Sequence, residues 1–227
     1  MSANLELVIL PCREPVPTNC YEKYNSAYSL WHKVWSQTLK ELDGVEHLYS
    51  NEFTRHDFMS VIFQNAKAVS LMCYSIVDLN LISRREDSWF SCWDPNYLEQ
   101  QKSNSPSLFA AWFCTDMEFR KSNKAHRINV SELIIQTFAM LVLEENYKAG
   151  YGVTRNNRSV DKYSQNAGSV TVGQSSAHGC DVNLVLFEPE KIKEAQQYYS
   201  AEFMAIWNKR KDFRKGENNE RELRKTA

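Results

Sequence analysis

The 227-residue sequence is poor in residues that break or staple a chain. It has 7 glycines and 6 prolines, and its 6 cysteines include no Cys-x-x-Cys pair. So small a supply of turn formers excludes collagen-like and low-complexity architectures, and no internal period is found. The single, scattered cysteines (Cys12, Cys20, Cys73, Cys92, Cys114, Cys180) fit a reduced, cytoplasmic protein better than a disulfide framework. A formal net charge of -1 gives no electrostatic basis for nucleic acid as the main partner. No stretch approaches the ~18 uninterrupted apolar residues of a spanning helix, so no membrane span is expected. The N-terminal apolar run lacks a basic leader and is broken by Glu6, so no signal peptide is expected either. The five histidines (His32, His47, His56, His126, His178) show no metal-ligand spacing, and no metal is expected. Gly-x-Ser-x-Gly, Walker A and Gly-x-Gly-x-x-Gly patterns are also missing.

Hydrophobic residues make up 43% of the chain and charged residues 24%, which suits a globular protein with a real core. Residues 1–208 read as one domain. Residues 209–227 read as a charged tail, with eight basic and four acidic side chains. A short strand is expected over Leu5–Leu10. Apolar residues at helical spacing (Ala27, Trp31, Val34, Trp35, Leu39) predict an amphipathic helix over 22–42, stopped at Asp43-Gly44. Phe58–Phe63 and Ala68–Leu79, joined by a polar turn, predict a hairpin. The aromatic segment 83–106 reads as an irregular excursion with one or two helical turns near Tyr97–Lys102, either a binding loop or surface padding. A buried strand over Leu108–Phe119 and a basic loop then precede the clearest helix, Val130–Lys148, with Gly150 as its terminator. A strand (151–154), a helix (159–166) and two strands (169–173 and 181–187) follow. One helix from Pro189 to about Trp207 closes the domain.

The order of these elements resembles the GNAT superfamily of N-acyltransferases, most sharply over residues 107–187. In that family an Asn after the fifth strand precedes a helix carrying a Tyr, and a Gly opens the next strand. Here Asn156, Tyr163 and Gly168 stand in that order. The Tyr-to-Gly spacing is one residue longer than in most acetyltransferases and is similar to the N-acyl amino acid synthases. The resemblance implies an α/β (α+β) fold, with a mixed, mostly antiparallel central sheet, a splayed parallel strand pair and flanking helices. It implies transfer of an acyl group from acyl-CoA or an acyl-carrier protein to a primary amine, such as a small molecule or an amino acid. Acyl-CoA or acyl-carrier protein would be the co-substrate, a small-molecule amine the acceptor, and the carrier protein a partner. A catalytically silent binding protein of the same fold and an acyl-homoserine-lactone synthase-like enzyme are the alternatives.

By the same resemblance, the donor pyrophosphate would sit on the loop that starts at Arg120, through Arg120, Asn123, Ala125 and Arg127. The family carries Gly where this chain has Asn123. Asn is the next most tolerant residue for a left-handed turn, so the loop can keep its shape while its N–H groups face an anion. Its bland reading is a solvated basic loop. Amine attack on a thioester needs a base, an oxyanion donor and an acid for the leaving thiolate. Glu118 is the candidate base and Asp116 its substitute. Alternation along one strand would put both on one face, where repulsion raises one pKa. Tyr163 is the candidate acid, Asn156 a candidate hydrogen-bond partner of the donor arm, and His178-Gly179 lies where it reaches an acceptor or solvent. Cys114, mid-strand, is expected to be buried and inert.

Overall fold

The computed structural model describes residues 5–120, 129–156 and 159–214. Eight strands form one sheet: β1 (Leu5–Pro11), β2 (Phe58–Gln64), β3 (Lys67–Val77), β4 (Ser107–Thr115), β5 (Gly150–Arg155), β6 (Ser169–Ala177), β7 (Cys180–Phe187) and β8 (Lys211–Asp212). Their spatial order is β6-β7-β5-β4-β3-β2-β1-β8, antiparallel except where β4 meets β5 and β1 meets β8. The expected mixed sheet with a parallel pair is therefore present.

Helices cover both faces: α1 (Tyr21–Asp43), the short α2 (Asn51–Thr54), α3 (Ile82–Arg85) and α4 (Pro95–Gln100), then α5 (Val130–Glu144), α6 (Val160–Asn166), α7 (Pro189–Gln196) and α8 (Ala201–Asn208). The apolar stripe of α1 buries Ala27, Leu30, Trp31 and Leu39 against β1–β4. Gly44 ends it at φ 65, a left-handed cap that costs glycine nothing. The opposite face packs on α5, which buries eleven residues from Val130 to Val142. Helix α5 stops at Glu144, short of the expected Lys148. Asn146 takes the left-handed conformation (φ 59), and the Tyr147 N–H donates back to Val142 O at 3.1 Å. Gly150 serves β5 rather than the helix end. A Cβ there would lie 2.7 Å from Val142 Cγ2 and 2.8 Å from Phe138 Cζ, so glycine lets β5 lie against α5.

Three further expectations need correction. The helix from Pro189 is two helices, because Ser200 Oγ accepts from the Phe203 N–H (3.0 Å) and starts α8 afresh. Buried Tyr199 anchors the corner with its hydroxyl on Ala167 O at 2.9 Å. Ordered structure continues past Asn208: β8 pairs with β1, and the guanidinium of Arg214 reaches Glu145 and Asp212. The 83–106 excursion is a packed layer. Asp87 and Asp94 cap its short turns, and Phe90, Trp93 and Leu98 bury themselves on Phe109, Tyr151, Leu184 and Leu186.

Candidate active site

Strands β4 and β5 hydrogen-bond at two register positions, Leu108 with Gly150 and Phe109 with Tyr151. Beyond them β4 runs on to Thr115 beside β3 and β5 to Arg155 beside β7, with no further pairing between the two. The cause is a bulge in β4. Trp112 and Phe113 together stand opposite Met72 alone, between the pairs Cys73–Ala111 and Leu71–Cys114. Trp112 adopts φ 52, a left-handed conformation that costs a bulky residue about 1–2 kcal/mol. Its surroundings hold it there. Its indole N–H donates to Glu52 O (3.0 Å), its carbonyl accepts from Trp35 Nε1 (3.3 Å), and the rings of Trp31, Trp35 and Trp89 pack edge-on within 5.7 Å. A bulge re-aims a strand, and this one turns β4 away from β5.

The gap opens into a cleft of about 1030 Å³ that passes through the sheet. One end is walled by α1 (Lys33, Trp35, Gln37, Glu41) with Trp89 and Trp112. The other is walled by α5 and α6, through Ser131, Ile135, Phe138 and Tyr163. The hydroxyls of Thr115 and half-buried Ser131 line the second wall, Thr115 Oγ1 lying 3.0 Å from Ser131 Oγ at the start of α5 and 2.9 Å from the buried Ser70 Oγ behind it. Behind Trp89, His56 keeps Nδ1 2.8 Å from Ser75 Oγ. Burial first, and the Arg55 charge second, push the His56 pKa down to about 3, so its ring stays neutral. Burial likewise pushes the Cys114 thiol well up, which leaves it protonated and unreactive at neutral pH.

Of the residues singled out from sequence, Tyr163 and Arg120 line the cleft. Tyr163 is buried at 7% exposure. Arg120 donates through Nε to Thr115 O at 3.2 Å. Asn123, Ala125 and Arg127 lie outside the described residues. Asn156 turns to an amide cluster, with Nδ2 3.4 Å from Asn183 Oδ1, and is not part of the lining.

Asp116 and Glu118 do not share a strand face. Strand β4 ends at Thr115, and the Asp116 carboxylate accepts from the Glu118 N–H at 3.2 Å, which folds 117–119 into a 3-10 turn. Neither residue lines the cleft. The Asp116 side chain is 3% exposed and lies 3.6 Å from Lys33 Nζ and 3.4 Å from Lys67 Nζ. Burial by itself raises its pKa, but the Glu118 N–H and the two ammonium groups outweigh that and hold it below 3.8. The expected upward shift from carboxylate repulsion is thus reversed: Asp116 is a structural anion. Glu118 is 72% exposed and sits 3.7 Å from Lys67.

Arg155, which sequence reasoning missed, and the Asp43 partner of His178 enter the site from distant elements. Arg155, at the end of β5, holds its guanidinium over the Trp35 ring at 5.4 Å. The β6–β7 hairpin turns through His178 (φ 51) and Gly179 (φ 63), the paired positive φ values of a two-residue hairpin turn. His178 lines the cleft, and its Nδ1 lies 2.6 Å from Asp43 Oδ2 at the end of α1. The dipeptide His178-Gly179 signals the turn, but nothing in the sequence couples it to Asp43.

This arrangement of sheet and helices is shared with solved structures. The chain has the GNAT fold. The solved structure of FeeM, an N-acyl amino acid synthase from uncultured soil microbes, superposes with TM-score 0.58 at 8% identity, over 87% of this chain and 100% of that one. BjaI, a CoA-dependent acyl-homoserine lactone synthase solved with SAM and isopentyl-CoA, gives TM-score 0.56 at 6% identity, over 86% and 89%. The AHL synthase LasI gives 0.54 at 11% identity, over 83% and 91%. No family model and no curated protein matches the sequence. At such identities the likeness establishes the GNAT fold and leaves chemistry to the residues of the cleft. Among the described residues no group of three or more His, Cys, Asp or Glu side chains gathers to hold a metal ion, and no helix is long and apolar enough to cross a membrane.

Proposed function

We propose that this protein is an N-acyltransferase that takes an acyl group from a thioester carrier, acyl-CoA or an acyl-carrier protein, and forms an amide with a primary amine. The observation that carries the reading is the opening between β4 and β5, which passes through the sheet and has the Tyr163 side chain on its wall. A pantetheine thioester is a slender arm, and a slot between two parting strands admits one while offering their unpaired backbone groups to it. Donor and acceptor meet from opposite faces. The α5 side, with Ile135, Phe138, Val185 and Phe187, suits an apolar acyl chain. The α1 side, with Lys33, Glu41, Arg155 and the indoles, suits a polar amine with an apolar body. The apolar wall favours a longer acyl chain, and with it an N-acyl amino acid synthase-like enzyme over an acetyltransferase.

The chemistry follows from these positions. The amine lone pair attacks the thioester carbon and the carbonyl π pair moves onto oxygen; that pair then returns to re-form C=O as the C–S bond breaks with its electrons on sulfur. The Tyr163 phenol gives that thiolate a proton and regains one from the nitrogen that has just been acylated. Arg120, with Asn123, Ala125 and Arg127 of the sequence that follows it, serves the donor's phosphate. The test is a panel: acetyl-CoA, long-chain acyl-CoA and long-chain acyl-carrier protein as donors, each with phenethylamine, L-leucine, L-tryptophan and hydroxylamine. Thermal stabilisation by a donor and formation of amide or hydroxamate are expected. Stabilisation by a donor at 100 Kd would amount to about 2.7 kcal/mol. No stabilisation by any donor and no product would overturn the reading in favour of a silent binding protein. Lactone formed from S-adenosylmethionine would redirect it to the homoserine-lactone chemistry of the neighbours.

A further inference from the structure

Resting on the N-acyltransferase reading, we propose that His178, held by Asp43, is the general base that removes the proton from the acceptor ammonium. The step needs a proton acceptor on the α1 side of the cleft. Among the described residues of the lining, three side chains accept protons there: Glu41, Glu52 and His178. Glu52 lies 3.5 Å from the Arg55 guanidinium, and Glu41 accepts from Gln37 Nε2 at 2.8 Å. Both carboxylates are thus already engaged by partners of their own. Carboxylates as a class hold a proton only under acid conditions, whereas imidazole is the side chain that ordinarily titrates near neutral pH and so suits a base there.

Geometry selects the reactive nitrogen. Nδ1 of His178 faces Asp43 Oδ2 at 2.6 Å, so the Nδ1–H donates to that carboxylate and the lone pair resides on Nε2. A carboxylate on the far nitrogen fixes the ring and stabilises the imidazolium that forms, the arrangement that makes histidine an effective base in other enzymes. The residues come together because α1 ends where the β6–β7 hairpin turns, 135 residues later in the chain. Charges from neighbouring elements that share this chamber are Lys33 and Glu41 on α1, Glu52 and Arg55 near α2, and Arg155 on β5. The proton balance closes. Nε2 takes one proton from the ammonium and later releases it to water. The second nitrogen proton leaves as the amide forms and replaces the one Tyr163 gave to sulfur.

The test is His178→Asn in the full chain. Asn tolerates the left-handed conformation at φ 51, so the turn is kept while the base is lost. With the best amine of the panel, kcat is expected to fall about 10²–10⁴-fold, the usual worth of a general base. Hydroxylamine is mostly neutral at pH 7 and needs no deprotonation, so the ratio of hydroxylamine to alkylamine turnover should rise by the same factor. Asp43→Asn should raise that ratio in the same direction, and Asp43→Glu should restore it. An alkylamine kcat within threefold of wild type, or an equal fall with both amines, would overturn the assignment of the base while leaving the transferase reading intact. Wild-type protein with no donor stabilisation and no product would overturn both.

Discussion

Gly152 offers the sharpest test of the cleft. It lies in β5, beyond the last residue paired with β4, and faces α5 at the neck of the opening. A Cβ built on it would lie 3.4 Å from Val185 Cγ2 and 3.9 Å from Ala110 Cβ, both ordinary contacts. Its φ lies outside the left-handed region, so no backbone strain opposes a side chain. Gly152→Ala should therefore stabilise the fold by about 0.4–1 kcal/mol through lost freedom of the unfolded chain. In a chain of this length that raises Tm by roughly 1–4 °C. Gly152→Leu adds three more carbons, which project from β5 into the part of the cleft that this residue lines. Forcing a ligand past such an insertion costs about 1–3 kcal/mol, which weakens donor binding about 5–150-fold. Calorimetric titration with the donor selected by the panel, and thermal melts of the free variants, measure both effects. A Leu variant that stays folded and binds donor within twofold of wild type would refute the idea that the donor arm threads this gap.

Three further outcomes are expected. Tyr163→Phe should lower kcat about 10²–10⁴-fold, as loss of a general acid does, with Tm and donor affinity nearly unchanged; unaltered turnover would remove its role. Asp116→Asn removes an anion hydrogen-bonded to the Glu118 N–H and flanked by Lys33 and Lys67, and should cost about 1.5–3 kcal/mol in urea unfolding at pH 7. The Asp116 pKa is depressed in the folded state, so its stabilisation is present above 3.8 and lost as pH falls through the lower folded value. The gap between variant and wild type should then narrow below pH 3.8, and a pH-independent gap would contradict the account. Arg214→Met leaves Glu145 and Asp212 facing each other without the guanidinium, which should cost about 1.5–3 kcal/mol, whereas a solvated tail residue would cost nothing measurable by the same melt.

Local patterning carried most of the architecture. The stripe on α1, the hairpin of β2 and β3 and the helix after β4 follow from periodicity and turn residues, which depend on neighbours a few positions apart, whereas the mixed sheet with its parallel pair was an implication of the family resemblance. The misplaced boundaries have local causes too. Ser200 restarts a helix and Asn146 ends one, and both signals were present but outweighed by longer apolar patterns. Tyr163 and Arg120, whose positions a family pattern marks, both line the cleft.

The sequence by itself determined that a strand, helix and strand would follow one another through 107–155, and that a tyrosine would ride the next helix. Only the tertiary structure decided that β4 would bulge at Trp112 and leave β5 after two paired positions, because that φ is held by indoles from α1 and from residue 89. Folding likewise turned Asp116 from a candidate base into an anion locked by lysines, and joined His178 to Asp43. Each of these depends on charges and rings brought together across many tens of residues, a proximity that local spacing does not encode.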